Sequence, residues 1–344
     1  MLMAKSNTTS EAALPLEWNE TEEEQNPPVE ETRRIEADNI FDAFAYFLRL
    51  EVANGQATED TSEAYHREVG RWIEWCQARS INPQEAGQHH LEAFREELKR
   101  RGLSIPTRAH KLSILRQFYQ SAIAAGLRDD NPADRVWAGK DLASPEDKIN
   151  VLSPGALSAL VDSLPSEGLS GLRDRTIVAL MAAHGLRRVE IHRLNREHVQ
   201  GEVGAEEPGA ILVDGKGHRV RQVFLRPDTW RSLTAYLRAK EAAGYEPTGA
   251  IFVGHGNNGR GGRLSRVSIN AVVDKYLDAA HLKKIGVSTN ALRHTFGTLA
   301  VAKGASVEHL REAMGHGRLE TTTMYVKAVE KAKNNPAFFI DVEF

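Results

Sequence analysis

A mainly α protein with one small antiparallel β-sheet, divided into two domains, is the fold class that three features of the sequence predict. The chain has 344 residues and a mass of 38.1 kDa, more than one small core organises and a match for two domains of roughly 100 to 200 residues each. Apolar residues recur at helical spacing along most of the length, and glycines punctuate the runs. A single pair of short strand-like runs brackets a glycine-rich turn.

Residues 1–38 show neither pattern. They hold ten Asp and Glu against Lys5, Arg33 and Arg34, with Asn26-Pro27-Pro28 and few aromatics. Such a segment buries too little apolar surface to offset the entropy of ordering, so a flexible acidic tail is expected. Residues 39–138 predict a compact bundle of about four helices. Ile40 to Leu50 carries Ile40, Phe41, Phe44, Tyr46, Phe47 and Leu48, and Thr61 to Arg79 carries Tyr65, Val69, Trp72, Ile73 and Cys76. Leu91 to Arg101 and Pro106 to Ala125 follow, with Gly102 and Gly126 placed as helix stops. Residues 139–150 are polar, contain Pro145 and break the periodicity, which marks a linker.

The second domain is expected over 151–330. Ser153-Pro154 has the order of an N-cap followed by a first-turn proline and opens a helix to about Leu164. Leu172 to His184 is a second apolar helix, stopped by Gly185. Ala210 to Asp214 and Val220 to Leu225 read as a β-hairpin around Gly215-Lys216-Gly217-His218-Arg219. Helices return at Pro227 to Ala243, Ser265 to Ala280, Thr289 to Lys303, Ser306 to Met314 and about Glu320 to Val329. Residues 331–344 form a C-terminal tail, and no internal repeat is present.

Composition narrows the classes of function. With 41% hydrophobic and 26% charged residues the chain can bury a sizeable core, which excludes whole-chain disorder and a collagen-like or disulfide scaffold. No run approaches the roughly 18 apolar residues of a membrane span, and no basic segment with an apolar core opens the chain, so a cytoplasmic location is expected. Cys76 is the single cysteine and supports neither an internal disulfide nor a multi-cysteine zinc site. The formal charge is −3, but residues 1–38 contribute −7, which leaves +4 on the remainder. A mildly positive body permits a phosphate-rich partner without demanding one.

Four separated segments of the second domain carry unusual polar groups. They are Gly185-Leu186-Arg187-Arg188-Val189-Glu190, Asp214-Gly215-Lys216-Gly217, Leu292-Arg293-His294-Thr295-Phe296, and Met314-Gly315-His316 with Tyr325 nine positions later. Guanidinium forks match phosphate oxygens, a hairpin lysine is a mobile proton donor, an imidazole donates or shuttles protons, and a phenol can attack phosphorus. The set suits phosphoryl transfer through a covalent tyrosine. It calls for no metal or other cofactor, because paired arginines can neutralise the phosphorane.

In this order and spacing the segments resemble the tyrosine recombinase (phage integrase) family. Arg187 and Glu190 match its Gly-Leu-Arg-x-x-Glu box, Lys216 its Gly-Lys-Gly hairpin, Arg293 its Leu-Arg-His-Thr-Phe box, and His316 and Tyr325 its Gly-His dipeptide and following tyrosine. A looser likeness, including Asn131-Pro132-Ala133, extends it to about residues 39–330. The resemblance implies a helical core DNA-binding domain and an α-rich catalytic domain, which clamp duplex DNA as a C. It implies that Tyr325 attacks the scissile phosphate to leave a 3′-phosphotyrosyl link, that Lys216 protonates the departing 5′ oxygen, and that Arg187, Arg293 and His316 hold the nonbridging oxygens. The partner implied is double-stranded DNA, with a homotetramer in the synaptic complex and no small-molecule substrate.

One position departs from the family. Its box begins with histidine three residues before the second arginine, and here that residue is Asn290. Asparagine donates a hydrogen bond but does not accept a phenol's proton at neutral pH. Any base must then come from His316, water or the phosphate, and a catalytically weakened DNA-binding relative stays open beside the recombinase, as does a topoisomerase-like enzyme. His294 and His309 are expected in structural roles. Arg100, Arg101, Arg108, Lys111 and Arg116 in the first domain, and Arg260, Arg263 and Arg266 in a glycine-rich loop of the second, are candidate DNA contacts. The tail Asn335 to Phe344, with Phe338, Phe339, Ile340 and Phe344, is expected either to fold onto its own domain or to dock on a neighbouring protomer.

Overall fold

A computed structural model of the chain describes residues 38–52, 59–202, 207–215, 219–256 and 260–340. All of the expected acidic tail except Asp38 lies outside the described residues, as do Lys216 and the last four residues. The chain divides into two compact units, Met1–Asp141 and Leu142–Phe344.

Four helices build the first unit: α1 (Ile40–Leu50), α2 (Glu59–Gln77), α3 (Gln88–Arg100) and α4 (Ile105–Ala124). Asn39 caps α1 by accepting from the backbone N–H groups of Phe41 and Asp42. The other three helices pack on α4, whose Leu112, Ile114, Leu115, Phe118, Tyr119 and Ala122 are all buried. That broad buried face places α4 at the centre of the bundle, with Thr107, His110 and Gln120 turned to solvent. Trp72 Nε1 donates to Tyr119 Oη at 2.9 Å, and that hydroxyl donates to Pro83 O at 2.8 Å, so both buried polar tips are satisfied.

The second unit is mainly helical around a small sheet, as expected. It contains α5 (Pro154–Asp162), α6 (Leu169–His184), α7 (Arg188–Arg193), β1 (Val199–Gln200), β2 (Ala210–Asp214), β3 (Val220–Phe224), α8 (Pro227–Ala242), α9 (Arg266–Ala279), α10 (Thr289–Ala302), α11 (Val307–Met314) and α12 (Glu320–Lys333). The sheet runs β1-β2-β3, antiparallel throughout, with Ile211 opposite both Val199 and Val223. Two elements go beyond the sequence expectation: α7 spans six residues and β1 two, too short to show periodicity in sequence. Buried α6 packs against α8 and α10.

Residues 142–150, expected as a linker, are fastened to the second unit. Lys331 pairs with Asp147, and Asn150 Nδ2 donates to Gly286 O at 3.0 Å. Helix α12 runs past its expected end near Val329. A 3₁₀ turn at Pro336–Phe339 follows and leaves Phe338, Phe339 and Ile340 exposed at 71%, 75% and 65%.

Candidate active site

Two helix ends organise the site. Helix α6 stops at Gly185 with φ 66°, where a Cβ would also lie 2.5 Å from Phe296 Cδ1, so glycine is required by both backbone and space. Helix α11 stops in the same way at Gly315, φ 61°. The last carbonyls of a helix have no partner within it and carry partial negative charge. Here they accept from arginines: Arg187 Nη1 donates to Met314 O at 3.2 Å and Nη2 to Gly315 O at 3.1 Å, while Arg293 Nη2 donates to Met314 O at 2.6 Å and Nη1 to Gly185 O.

Glu190 is the carboxylate at the centre of this network and is 2% exposed. It accepts from the Arg187 backbone N–H and from Arg187 Nη1, both at 2.8 Å, and from both Nη atoms of Arg221 at 3.0 Å. Arg221 also donates through Nε to Ala313 O at 2.9 Å, which ties β3 to the end of α11. Burial works to raise the Glu190 pKa, but the hydrogen bonds and charge of Arg221, with those of Arg187, outweigh it and hold the carboxyl below its ordinary value. Burial and the neighbouring Arg187 push Arg293 down to about 9, still a cation at neutral pH.

Tyr325 on α12 is 1% exposed. Its ring rests on Gly297, where a Cβ would stand 2.7 Å from Cε2, and it stacks on the His316 ring at 6.2 Å between centroids. Its hydroxyl lies 3.1 Å from His294 Nδ1. Burial raises the phenol pKa, with Arg293 and Arg187 acting against it. His316 Nδ1 lies 2.8 Å from Thr322 Oγ1. With that hydroxyl donating, the ring proton sits on Nε2, which makes Nε2 a donor. Burial, then Arg293, Arg187 and Arg221, push the His316 pKa down to about 3.

A cleft of about 500 Å³ collects these groups. It is lined by Arg187, Arg188, Val189, Arg266, Asn270, Ser288, Thr289, Asn290, Arg293, His294, His316, Thr321, Met324 and Tyr325. No carboxylate among the described residues lines it. The first turn of α10 does, and it adds backbone N–H donors at the positive end of a helix dipole. Four arginines and a helix N-terminus beside two imidazoles and a phenol give the cleft the cationic and hydrogen-bond-donor character that suits an anion such as a phosphate group.

Five of the six residues that the sequence nominates for catalysis, Arg187, Asn290, Arg293, His316 and Tyr325, line this cleft. The sixth, Lys216, lies outside the described residues. The candidate DNA contacts divide. Arg100 and Arg101 have side chains 73% and 64% exposed, each paired with Glu97. Arg260 is exposed over the Tyr245 ring, and Arg266 lines the cleft. Arg108 is buried, and Lys111 is buried and paired with Glu68. Arg116 donates to Ala133 O and Val136 O at 3.1 and 2.8 Å, and Arg263 to His192 O and Asn195 Oδ1 at 2.7 and 2.5 Å.

The sequence alone assigns His294 a structural role and passes over Arg221. His294 sits four positions after Asn290, on the helix face that also bears Arg293 and Gly297, and that spacing was a usable signal. Arg221 lies two residues before buried Val223 on β3 and opposite buried Val213. A charge on the inward face of a strand calls for a buried partner.

Fold and cleft together define a mainly helical protein with a cationic site that holds a buried phenol. The family model described as Phage integrase family matches residues 150–332, and that described as Phage integrase, N-terminal SAM-like domain, matches residues 44–126. The chain belongs to the phage integrase family. Among curated relatives, the tyrosine recombinase XerD of Rhizobium meliloti (strain 1021) is 27% identical over 293 residues, covering 83% of this chain and 90% of that protein. The tyrosine recombinase XerC of Pelotomaculum thermopropionicum is 29% identical over 301 residues, covering 83% and 92%. Among solved structures, the Tn1549 transposon integrase in complex with circular intermediate DNA shares the fold with a TM-score of 0.63 at 17% identity, covering 87% of this chain and 100% of that one. The XerH site-specific recombinase bound to palindromic difH substrate does so with a TM-score of 0.61 at 18% identity, covering 74% and 72%.

Proposed function

We propose that this chain is a site-specific DNA recombinase of the tyrosine class, which cleaves and rejoins strands through a 3′-phosphotyrosine intermediate. The observation that carries this reading is the convergence of Arg187, Arg293, His316 and Tyr325 on one carboxylate-free cleft among the described residues. In this reading the two guanidiniums and His316 Nε2 bind the nonbridging oxygens of the scissile phosphate. Tyr325 Oη attacks phosphorus, and Lys216 protonates the departing 5′ oxygen. The phosphotyrosyl ester conserves the energy of the phosphodiester, so rejoining consumes no nucleotide. Asn290 at the cleft contributes a hydrogen-bond donor to phosphate.

The assignment of DNA contacts follows from placement: Arg100, Arg101 and Arg260 stand exposed and Arg266 lines the cleft, whereas the other four are buried or anchor backbone carbonyls. Arg100, Arg101, Arg260 and Arg266 are the contacts proposed to duplex phosphates. Arg108, Lys111, Arg116 and Arg263 serve the scaffold through burial, an ion pair or backbone carbonyls. The working assembly proposed is a tetramer on two duplexes in the cytoplasm, joined through the exposed Phe338, Phe339 and Ile340. No helix of the described residues is long and apolar enough to cross a membrane.

A library of nicked duplexes with randomised flanks tests the activity and finds the preferred site in the same step. DNA that stays attached to the protein through denaturation, and is released by protease, is sequenced. The wild-type chain should retain a defined sequence class, and Tyr325→Phe should retain none while still shifting the same duplexes in a native gel. Shifted bands without any covalent adduct would favour the DNA-binding relative, and sequence-independent plasmid relaxation the topoisomerase.

A further inference from the structure

Tyr325 needs a proton acceptor if its oxygen is to attack phosphorus, and the position where the family carries a histidine holds Asn290, which accepts no proton at neutral pH. Three observations bear on what replaces it. Tyr325 Oη lies 3.1 Å from His294 Nδ1, within the reach a general base requires. His316, the other imidazole beside the phenol, lies nearly parallel to its ring but offset, at an interplanar angle of 17° and 6.2 Å between centroids, and has its Nδ1 engaged by Thr322. Finally, Asn290 and His294 are four residues apart on α10, so both project from one face of the same helix toward the cleft that they line.

We propose that His294 is the general base of strand cleavage, receiving the Tyr325 proton that Asn290 cannot take. The proposal rests on the recombinase reading of the site. As the Tyr325 Oη–P bond forms, the phenolic proton passes to His294 Nδ1, and the P–O5′ bond breaks with its electron pair leaving on the 5′ oxygen, which takes its proton from a separate acid, the role assigned to Lys216. In rejoining, a 5′-hydroxyl attacks phosphorus and gives its proton back to the group that served as acid in cleavage, now in its base form, while the Oη–P bond breaks and His294 returns its proton to the phenolate. The step requires His294 neutral, with its ring proton on Nε2 and Nδ1 bare. The charged and titratable groups around it favour that state. Arg293 is adjacent on α10, Arg187 and His316 line the same cleft from the start of α7 and the turn after α11, and Tyr325 faces it from α12. Burial and then the Arg293 charge lower the His294 pKa from its ordinary value.

Two measurements on the full chain test the assignment. Nitrogen-15 spectra of the histidine rings in the free protein should show His294 protonated at Nε2, with a Nδ1 resonance that moves in Tyr325→Phe. A proton on Nδ1, donated to the phenol oxygen, overturns the proposal. Single-turnover cleavage of the nicked duplex recovered by covalent capture should slow on the order of 10² to 10⁴-fold in His294→Ala, the usual contribution of a positioned base. Binding in a native gel should be unchanged. The acid limb of the wild-type pH–rate profile should vanish in His294→Ala and in His294→Gln, which keeps bulk and an acceptor oxygen but takes no proton. Wild-type or faster cleavage by both variants would mean that the hydrogen bond only parks the phenol, and would overturn His294 while leaving the recombinase reading intact. A wild-type chain that forms no adduct with any duplex overturns both.

Discussion

At Gly297 the absence of one methyl group makes room for the Tyr325 ring. Alanine in the middle of α10 would gain about 1 kcal/mol of helix propensity over glycine. Its Cβ would also meet the Cε2, Cζ and Cδ2 atoms of Tyr325 between 2.7 and 2.9 Å, and overpacking of a closed core costs roughly 1–3 kcal/mol. The clash is the larger effect, because the fully buried Tyr325 ring also has the His316 ring beside it. Gly297→Ala is therefore expected to lower stability by no more than about 2 kcal/mol net, while displacing the phenol from His294 and sharply reducing covalent capture. Thermal unfolding and adduct yield, measured side by side, check this, and an unchanged yield would show that the ring has freedom to move.

At the scale of elements, the turns that end α6 and α11 hold buried imidazoles in their neutral form. A cation at a helix C-terminus gains roughly 0.3–1 kcal/mol from the dipole, which by itself would favour a charged His184 in the last turn of α6. Its burial, with the Arg226 charge, instead pushes its pKa down to about 4, and His316 just beyond α11 is pushed down to about 3. In the unfolded chain both return to about 6.5. The unfolded state therefore binds more protons between those values, and stability that is complete above about 6.5 is lost as the pH falls toward 4. Each of the two should withdraw up to about 2 kcal/mol by pH 5. Urea midpoints in phosphate-free buffer should fall from pH 7 to pH 5, and His184→Gln should flatten part of that slope. Phosphate in the cleft would oppose the loss by favouring charged His316.

For the whole molecule, the apolar C-terminal turn is a patch of exposed aromatic surface among the described residues. Phe338, Phe339 and Ile340 stand together in the open, after an α12 that is tied down by the Lys331–Asp147 pair. Contiguous exposed aromatics mark contact surfaces, and aromatic anchors each contribute enough that losing them weakens an interface on the order of 10- to 100-fold. Removal of residues 336–344 should leave single-site covalent capture near the wild-type level and reduce joint complexes on two duplexes by that factor, measured by sedimentation on captured DNA. Equal loss of both would place the turn in the folding of its own unit instead.

The amino-acid order by itself determined the helical periodicity, the hairpin at Ala210–Phe224, and the ordered boxes that nominate Arg187, Arg293, His316 and Tyr325, since these are local patterns or short spacings that need no coordinates to read. Helix α7 and strand β1 were too short to carry periodicity, and they exist because neighbouring elements satisfy them. Only the tertiary structure decided that Tyr325 meets His294 across 31 residues and that Arg221 shares Glu190 with Arg187. It likewise decided that Lys111 and Arg116 are spent inside the first unit. A side chain's charge is written in the sequence, but its partner is whatever packing brings within about 3 Å, and a hydrogen bond fades beyond that reach.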